Sequence, residues 1–198
     1  MLSSSWRKIS HRMAVTGIAL CAFLALAGLA GARFNMTNSL PLGLYWVTGG
    51  SIARNSYVRF CPPAIGAFAE AMKRGYLHRG HCPSGYVPML KRVSGVAGDV
   101  IDISPPGVYV NGAQLPLSQP RKMDGLGRLL PWPDSVHMVL KASQLWVMSD
   151  TNDRSFDSRY FGPIDQSWVK DVIRPVFTWG RGGTLERMSP GSKKSGGT

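Results

Sequence analysis

Acidic residues are scarce in this sequence and absent from its first part. Among 198 residues, 23 lysines and arginines face 11 aspartates and glutamates, and no acidic residue precedes Glu70. The basic residues of that part form no dense block and have no base-stacking aromatic motif beside them. Nucleic-acid binding is therefore not expected, and a positive field facing anionic lipid or an acidic protein fits the distribution better.

Charge of either sign is absent from Met13 to Ala32, a run of 20 mostly apolar residues. A helix of that length spans about 30 Å, the thickness of the hydrocarbon core of a bilayer. The residues before it are basic: Arg7, Lys8, His11 and Arg12. Positive charge of this kind keeps the N-terminus cytoplasmic, so the rest of the chain is exported. We predict a cytoplasmic tail over residues 1–12 and a transmembrane anchor over 13–32.

A cleaved signal peptide ending in Ala30-Gly31-Ala32 is the alternative reading of this run. The run exceeds a usual signal-peptide core, and cleavage after Ala32 would leave Ser39 close to a fraying chain end. The anchor is therefore the preferred prediction, with the exported domain covering residues 33–186.

Cysteine is also scarce, with three residues in the chain. Cys21 lies inside the apolar run, whereas Cys61 and Cys82 lie in the exported part, where oxidising conditions favour a disulfide. The segment "HRGHC" places His78 and His81 close to Cys82, so a metal site formed together with Cys61 is the alternative. Their spacing matches no standard zinc pattern, and the disulfide is predicted, with no metal and no cofactor.

The exported part reads as mainly β, with small helical additions. Short β-rich runs such as "GLYWV", "SYVRF" and "SQLWVMSD" are separated by turn residues. Asn111-Gly112 predicts a type I′ hairpin between "VYV" and "AQL". Residues 61–86 predict a small insertion with one short helix, tied by the two cysteines. Residues 118–135 predict a long loop, and 187–198 a disordered tail.

Two residues could supply the chemistry of a hydrolase. Ser39 follows the apolar run, and a serine nucleophile needs a base. No histidine stands in a recognisable triad context, although a Ser-His-Asp site stays open. Lys91 in "PMLKRV" shares a strand face with Met89 and Val93, and apolar neighbours would lower the pKa of its amine. The residues alone favour a plainer reading, a strand lysine with its ammonium in water.

Three segments in order resemble the conserved boxes of the type I signal peptidase superfamily: "NSLPLGLYW", "LKRVSGVAGDV" and "SDTNDRSFDSRYFGPI". The first and last are most similar to those of TraF-type conjugative transfer peptidases. The resemblance implies a signal-peptidase-like antiparallel β domain behind one N-terminal transmembrane helix. One departure is Ser149-Asp150-Thr151, where general signal peptidases have Gly-Asp-Asn. A second is the short insertion. Both favour a specialised enzyme.

The resemblance also implies residue roles. Ser39 becomes the nucleophile and Lys91 the general base, and the Ser39 N–H, joined by Thr37, stabilises the oxyanion. Ser155 orients the lysine amine. Asp157 is the third required residue, and we expect it to hold Arg159 or Arg92. Asp150 and Asp153 are expected to cap turns.

The function implied is a serine endopeptidase of the bacterial inner membrane with its catalytic domain in the periplasm. Its substrate would be a membrane-associated precursor, a conjugative pilin subunit, and its partners would include membrane lipid and other conjugation proteins. Head-to-tail joining of the trimmed subunit is an analogy only. Two alternatives remain: a general signal peptidase, and a non-catalytic peptide-binding subunit of pilus assembly. Tyr45 and Trp46 are expected either to pack in the core or to form an interfacial belt.

Overall fold

A long exposed helix precedes the folded domain. The computed structural model describes residues 4–131 and 135–179. Helix α1 runs from Ser4 to Leu29, and its segment Lys8–Leu29 has a mean hydropathy of 1.9 with none of it buried inside the protein. By length and composition this helix can cross a membrane. The predicted tail over 187–198 lies outside the described residues, and the predicted domain limits remain predictions.

The rest of the described chain is mainly β. The strands in chain order are β1 (Ala32–Asn35), β2 (Leu42–Thr48), β3 (Tyr57–Phe60), β4 (Met89–Gly95), β5 (Val100–Ser104), β6 (Gly107–Val110), β7 (Ala113–Gln114), β8 (Val136–Val139), β9 (Gln144–Met148), β10 (Ile164–Asp165) and β11 (Val169–Trp179). Helix α2 (Gly66–Lys73), helix α3 (Ser158–Phe161) and a 3-10 turn (Gln166–Trp168) join them. The predicted mainly β class is confirmed.

Within the described residues the strands form two antiparallel sheets. The larger has the order β1-β2-β11-β3-β4-β9-β10, and the smaller has the order β7-β6-β5-β8. Strand β11 is not predicted from the sequence, yet it pairs with both β2 and β3 at the centre of the larger sheet. Strand β4 lies between β3 and β9, where its inward face meets the main core.

Strand β4 alternates between buried and half-buried residues along its whole length. Met89, Lys91 and Val93 face inward, and Lys91 is only 1% exposed. Val58 pairs with Lys91 across the β3–β4 ladder and is fully buried. The predicted shared face of Met89, Lys91 and Val93 is therefore correct, and its lysine does not reach water.

The insertion between β3 and β4 has the predicted short helix and disulfide. Helix α2 packs Phe68 and Ala71 into the main core. Cys61 and Cys82 are bonded to each other, so neither offers a thiolate to a metal. The predicted hairpin is also present: Asn111 and Gly112 have φ angles of 52° and 81°, and Val110 pairs with Ala113 across them.

Gly43 allows β2 and β11 to approach closely beyond the Ser39 turn. It pairs with Thr178, and a Cβ atom at position 43 would overlap the Phe177 carbonyl and lie 2.7 Å from the Thr178 Cα. Its φ of 157° is also one that side chains disfavour.

We expect Gly43→Ala to lower the free energy of unfolding by about 2 kcal/mol or more, because both the backbone overlap and the strained φ act on the folded state. Chemical denaturation measures the change. Gly49→Ala is the matched control, since a Cβ there meets nothing within 4 Å. Equal stability of the two variants would contradict the close approach.

Replacing Cys61 and Cys82 by serine is expected to cost about 3 kcal/mol of unfolding free energy, because the bridge closes a loop across a sequence separation of 21. The measurement is denaturation of the double variant against wild type. Denatured, unreduced wild-type protein should present one reactive thiol, that of Cys21. Three thiols would contradict the disulfide.

Candidate active site

The first element of the candidate site is the turn between β1 and β2, which carries Ser39. Ser39 is half-buried, with buried Leu40 beside it and buried Asn35 at the end of β1. Tyr45 on β2 is fully buried, and its hydroxyl donates to the Pro41 carbonyl at 2.8 Å. Tyr45 therefore belongs to the core rather than to an interfacial belt, whereas Trp46 is half-buried.

Lys91 reaches this turn from the middle of β4. Its Nζ lies 2.8 Å from Ser39 Oγ and 2.6 Å from Ser155 Oγ. Three separate segments thus meet at one amine: the β1–β2 turn, strand β4 and the loop after β9. The plainer alternative, a strand lysine with its ammonium in water, is wrong, because the whole side chain is enclosed.

Burial lowers the pKa of Lys91 from 10.5 to about 8, because the charged amine loses its hydration. The nearby Asp157 carboxylate raises this pKa and the Arg159 guanidinium lowers it, so these two charges act against each other. A substantial fraction of the amine is then neutral near pH 8 and able to accept a proton.

Asp157 and Arg159 form a buried ion pair behind the lysine. Arg159 Nε and Nη2 each donate to a different Asp157 carboxylate oxygen at 2.8 Å, and both side chains have no exposed surface. Arg159 Nη1 also donates to the carbonyls of Leu117, Gln119 and Asp153. The pair therefore ties the loop after β9 to the loop that follows β7.

Arg92 does not contact Asp157 but points to the opposite face of β4. It donates to Asp150 Oδ2 at 3.1 Å, and the Tyr57 hydroxyl donates to the same oxygen at 2.8 Å. Burial and the neighbouring Asp150 carboxylate raise the pKa of Tyr57 to about 12. Of the two expected partners of Asp157, Arg159 is therefore the one in contact.

The two aspartates expected to cap turns form ion pairs instead, Asp150 with Arg92 and Asp153 with Arg121. The turn after β9 is capped by Ser149 Oγ, which accepts from the N–H groups of Thr151 and Asn152. Short hydroxyl side chains compete well for such turn donors.

Thr37 precedes Ser39 by two residues and is exposed. Its hydroxyl donates to Asn35 Oδ1 at 2.8 Å, and its N–H donates to the same oxygen at 3.0 Å. Asn35 was not predicted as a site residue. A polar residue ending a strand just before a turn is the sequence signal that could have indicated it.

An open groove lies directly beside Ser39. It has a volume of about 430 Å³ and is lined on one side by the turn and on the other by the end of β11 and the loop after β9. Its lining residues are Asn38, Leu40, Pro41, Leu42, Thr151, Asn152 and Trp179. Polar and apolar groups share the exposed lining about equally, a mixture that suits an extended peptide with its backbone amides and side chains.

A family model described as "Signal peptidase, peptidase S26" matches residues 5–178. The chain therefore belongs to the signal peptidase S26 family, a family of serine peptidases. The match includes α1 together with the domain that carries Ser39 and Lys91. The apolar helix and the family together support membrane anchoring.

Within this family the chain is most like the TraF type, and the predicted resemblance is confirmed. It is 44% identical over 178 residues to a plasmid transfer protein TraF of Escherichia coli, covering 90% of this chain and 100% of that protein. It is 39% identical over 176 residues to a conjugal transfer protein TraF of Agrobacterium tumefaciens (strain 15955), covering 85% and 98% respectively.

A solved signal peptidase I from Enterococcus faecalis V583 is 21% identical, covers 63% of this chain and 98% of its own, and superposes with a TM-score of 0.37.

The depressed pKa of Lys91 predicts a pH-dependent stability. The unfolded chain binds a proton at this amine up to about pH 10.5, whereas the folded chain releases it near pH 8. Between these values the unfolded state holds more protons, so stability rises with pH. We expect the unfolding free energy of wild type, relative to Lys91→Met, to increase by about 3 kcal/mol across this window.

Denaturation of both proteins at a series of pH values measures this difference, and other titrating groups cancel because the two chains share them. Lys170→Met is the matched control, since Lys170 is exposed. A constant difference between wild type and Lys91→Met would show that Lys91 titrates normally.

Proposed function

We propose that the protein is a membrane-anchored serine endopeptidase in which Ser39 is the nucleophile and Lys91 the general base. The observation that carries the proposal is the contact of 2.8 Å between Ser39 Oγ and a fully enclosed Lys91 amine. A serine becomes a nucleophile when a positioned base takes its proton. An amine with a pKa of about 8 is matched to that task near neutral pH.

The reaction follows from this arrangement. Ser39 Oγ attacks the scissile carbonyl while its proton moves to Lys91 Nζ. Negative charge develops on the carbonyl oxygen, where the Ser39 N–H would stabilise it, and Thr37 would add a second donor once its hydroxyl turns from Asn35. Collapse of the tetrahedral intermediate breaks the peptide bond, and Lys91 returns the proton to the leaving amine. Water or another amine then attacks the acyl-enzyme carbonyl while Lys91 accepts its proton. The ester bond to Ser39 Oγ breaks, and Lys91 returns the proton to Ser39 Oγ.

Ser155, Asp157 and Arg159 support the amine rather than react. The contact of 2.6 Å between Ser155 Oγ and Lys91 Nζ keeps the amine aimed at Ser39. Asp157 holds Arg159, and its negative charge keeps the pKa of Lys91 from falling further under burial. Arg92 acts on the other face of β4, where its pair with Asp150 joins β4 to the loop after β9.

The orientation proposed is a cytoplasmic N-terminus with the domain in the periplasm, based on the basic residues that precede the apolar run. An exposed apolar surface supports a position close to the bilayer. Phe34, Leu44 and Phe177 are in register across β1, β2 and β11, so they share one sheet face, with Phe34 and Phe177 largely exposed. Arg33 Nη1 donates to the Gly28 carbonyl at 2.7 Å, which joins this sheet edge to the end of α1.

The substrate proposed is a membrane-associated precursor, a conjugative pilin subunit, with the transfer apparatus as partner. The similarity to plasmid and conjugal transfer proteins supports this choice. An extended precursor would add beside the active-site strands, in the groove between the turn that carries Ser39 and the loop after β9, with its scissile bond next to Ser39.

Ser39→Ala and Lys91→Ala are each expected to lower the rate of precursor cleavage by roughly 10³-fold or more, because each removes one half of the proton transfer. The measurement is cleavage of a purified pilin precursor by full-length enzyme in lipid vesicles. In wild type, activity should rise with pH and reach half its maximum near pH 8, as Lys91 loses its proton.

Ser51→Ala and Lys170→Ala are the matched controls, since both residues are exposed, and both variants should cleave normally. Processing that survives Ser39→Ala or Lys91→Ala would instead favour a non-catalytic peptide-binding subunit. Ordinary secreted precursors provide the second comparison: cleavage as fast as that of the pilin would favour a general signal peptidase.

A further inference from the structure

Asn35 is a buried polar residue to which neither the family resemblance nor the mechanism above gives a task. It is the last residue of β1, pairs with Gly43 on β2, and is only 2% exposed. A buried amide is costly unless its donors and acceptor are all engaged. Those of Asn35 are engaged by the turn that carries Ser39.

The contacts of Asn35 also determine how its amide is oriented. Nδ2 lies 3.0 Å from the Thr37 carbonyl, 3.0 Å from the Leu40 carbonyl and 3.1 Å from the Pro41 carbonyl. Oδ1 accepts from the Thr37 N–H. Carbonyl oxygens accept only and a backbone N–H donates only, so the flipped amide would oppose every one of these groups.

These contacts lie on both sides of the nucleophile in the chain. One carbonyl comes from two residues before Ser39, and the others come from the two residues that follow it. Ser39 is therefore held at the top of a turn whose interior is filled by one amide. Tyr45 holds the Pro41 carbonyl as well, through its hydroxyl.

Asn35 also holds the second expected oxyanion donor. The Thr37 hydroxyl donates its proton to Asn35 Oδ1, and a hydroxyl has only one proton to donate. Asn35 thus holds the Thr37 hydroxyl within the turn. Rotation of the Thr37 side chain would free this hydroxyl to donate to the oxyanion instead.

We infer that Asn35 is a positioning residue for the nucleophile. It sets the shape of the Ser39 turn, and it binds the Thr37 hydroxyl until that hydroxyl donates to the oxyanion. The inference rests on the proposed function of Ser39. Asparagine meets the requirement because one short side chain both donates and accepts. Aspartate has the same size but has no N–H to donate, and its oxygens would face three carbonyl oxygens.

The test is precursor cleavage by full-length Asn35→Asp and Asn35→Ala. The number of active sites in each sample is found by titration with a serine-directed acylating probe, and each cleavage rate is divided by that number. Misfolding lowers the number of sites, whereas mispositioning lowers the rate at each site. We expect kcat per site to fall by about 10²-fold, because a small displacement of a reacting atom has that effect. KM should change less than about threefold, and the pH midpoint near 8 should persist, since the surroundings of Lys91 are intact.

Asn111→Ala is the matched control, because it also removes amide hydrogen bonds, to Val100 and Asp99, but far from Ser39 in the chain. It should lower Tm without changing kcat per site. If both Asn35 variants fail to fold, Tyr45→Phe takes their place: loss of its bond to Pro41 should lower kcat per site severalfold.

The two proposals fail differently. Processing that survives Ser39→Ala overturns the proposed function. The inference about Asn35 alone is overturned by a different result. In that result Ser39→Ala abolishes processing, but the folded Asn35 variants, or Tyr45→Phe where it takes their place, keep a near-normal kcat per site.

Discussion

The burial of one amine is the constraint on which this structure depends. An ammonium group removed from water loses its hydration, and the free energy of folding must cover that loss. At Lys91 the loss is reduced by two serine hydroxyls within hydrogen-bond distance and by the drop in pKa that favours the neutral form. The same burial that destabilises the fold below pH 8 keeps much of the amine in the neutral form that the proposed chemistry needs.

The surrounding structure holds three chain segments against that amine. Strand β4 supplies Lys91 from within the larger sheet, between β3 and β9. The loop after β9 supplies Ser155 and is anchored by the buried Asp157–Arg159 pair. The β1–β2 turn supplies Ser39 and is shaped around Asn35. Buried polar groups of this kind determine a single geometry, because any displacement leaves a donor or acceptor unpaired.

Local patterns predicted much of the fold. The Asn111-Gly112 hairpin, the short helix between Cys61 and Cys82 and the inward face of β4 each follow from turn chemistry or alternation within a few residues. Strand β11 has no such signal: it contains Pro175 and several charged residues, and its burial does not alternate. Its position between β2 and β3 comes from pairing with distant strands, which a local pattern does not encode.

The sequence by itself determined the apolar helix, the mainly β class and, through its three boxes, the residues proposed to react. Only the tertiary structure decided that Lys91 is enclosed rather than solvated, that Arg159 and not Arg92 holds Asp157, and that Asn35 fills the Ser39 turn. The physical reason is that desolvation and hydrogen bonding depend on which distant segments surround a group. A strand lysine has the same neighbours in sequence whether its amine lies in water or against a serine.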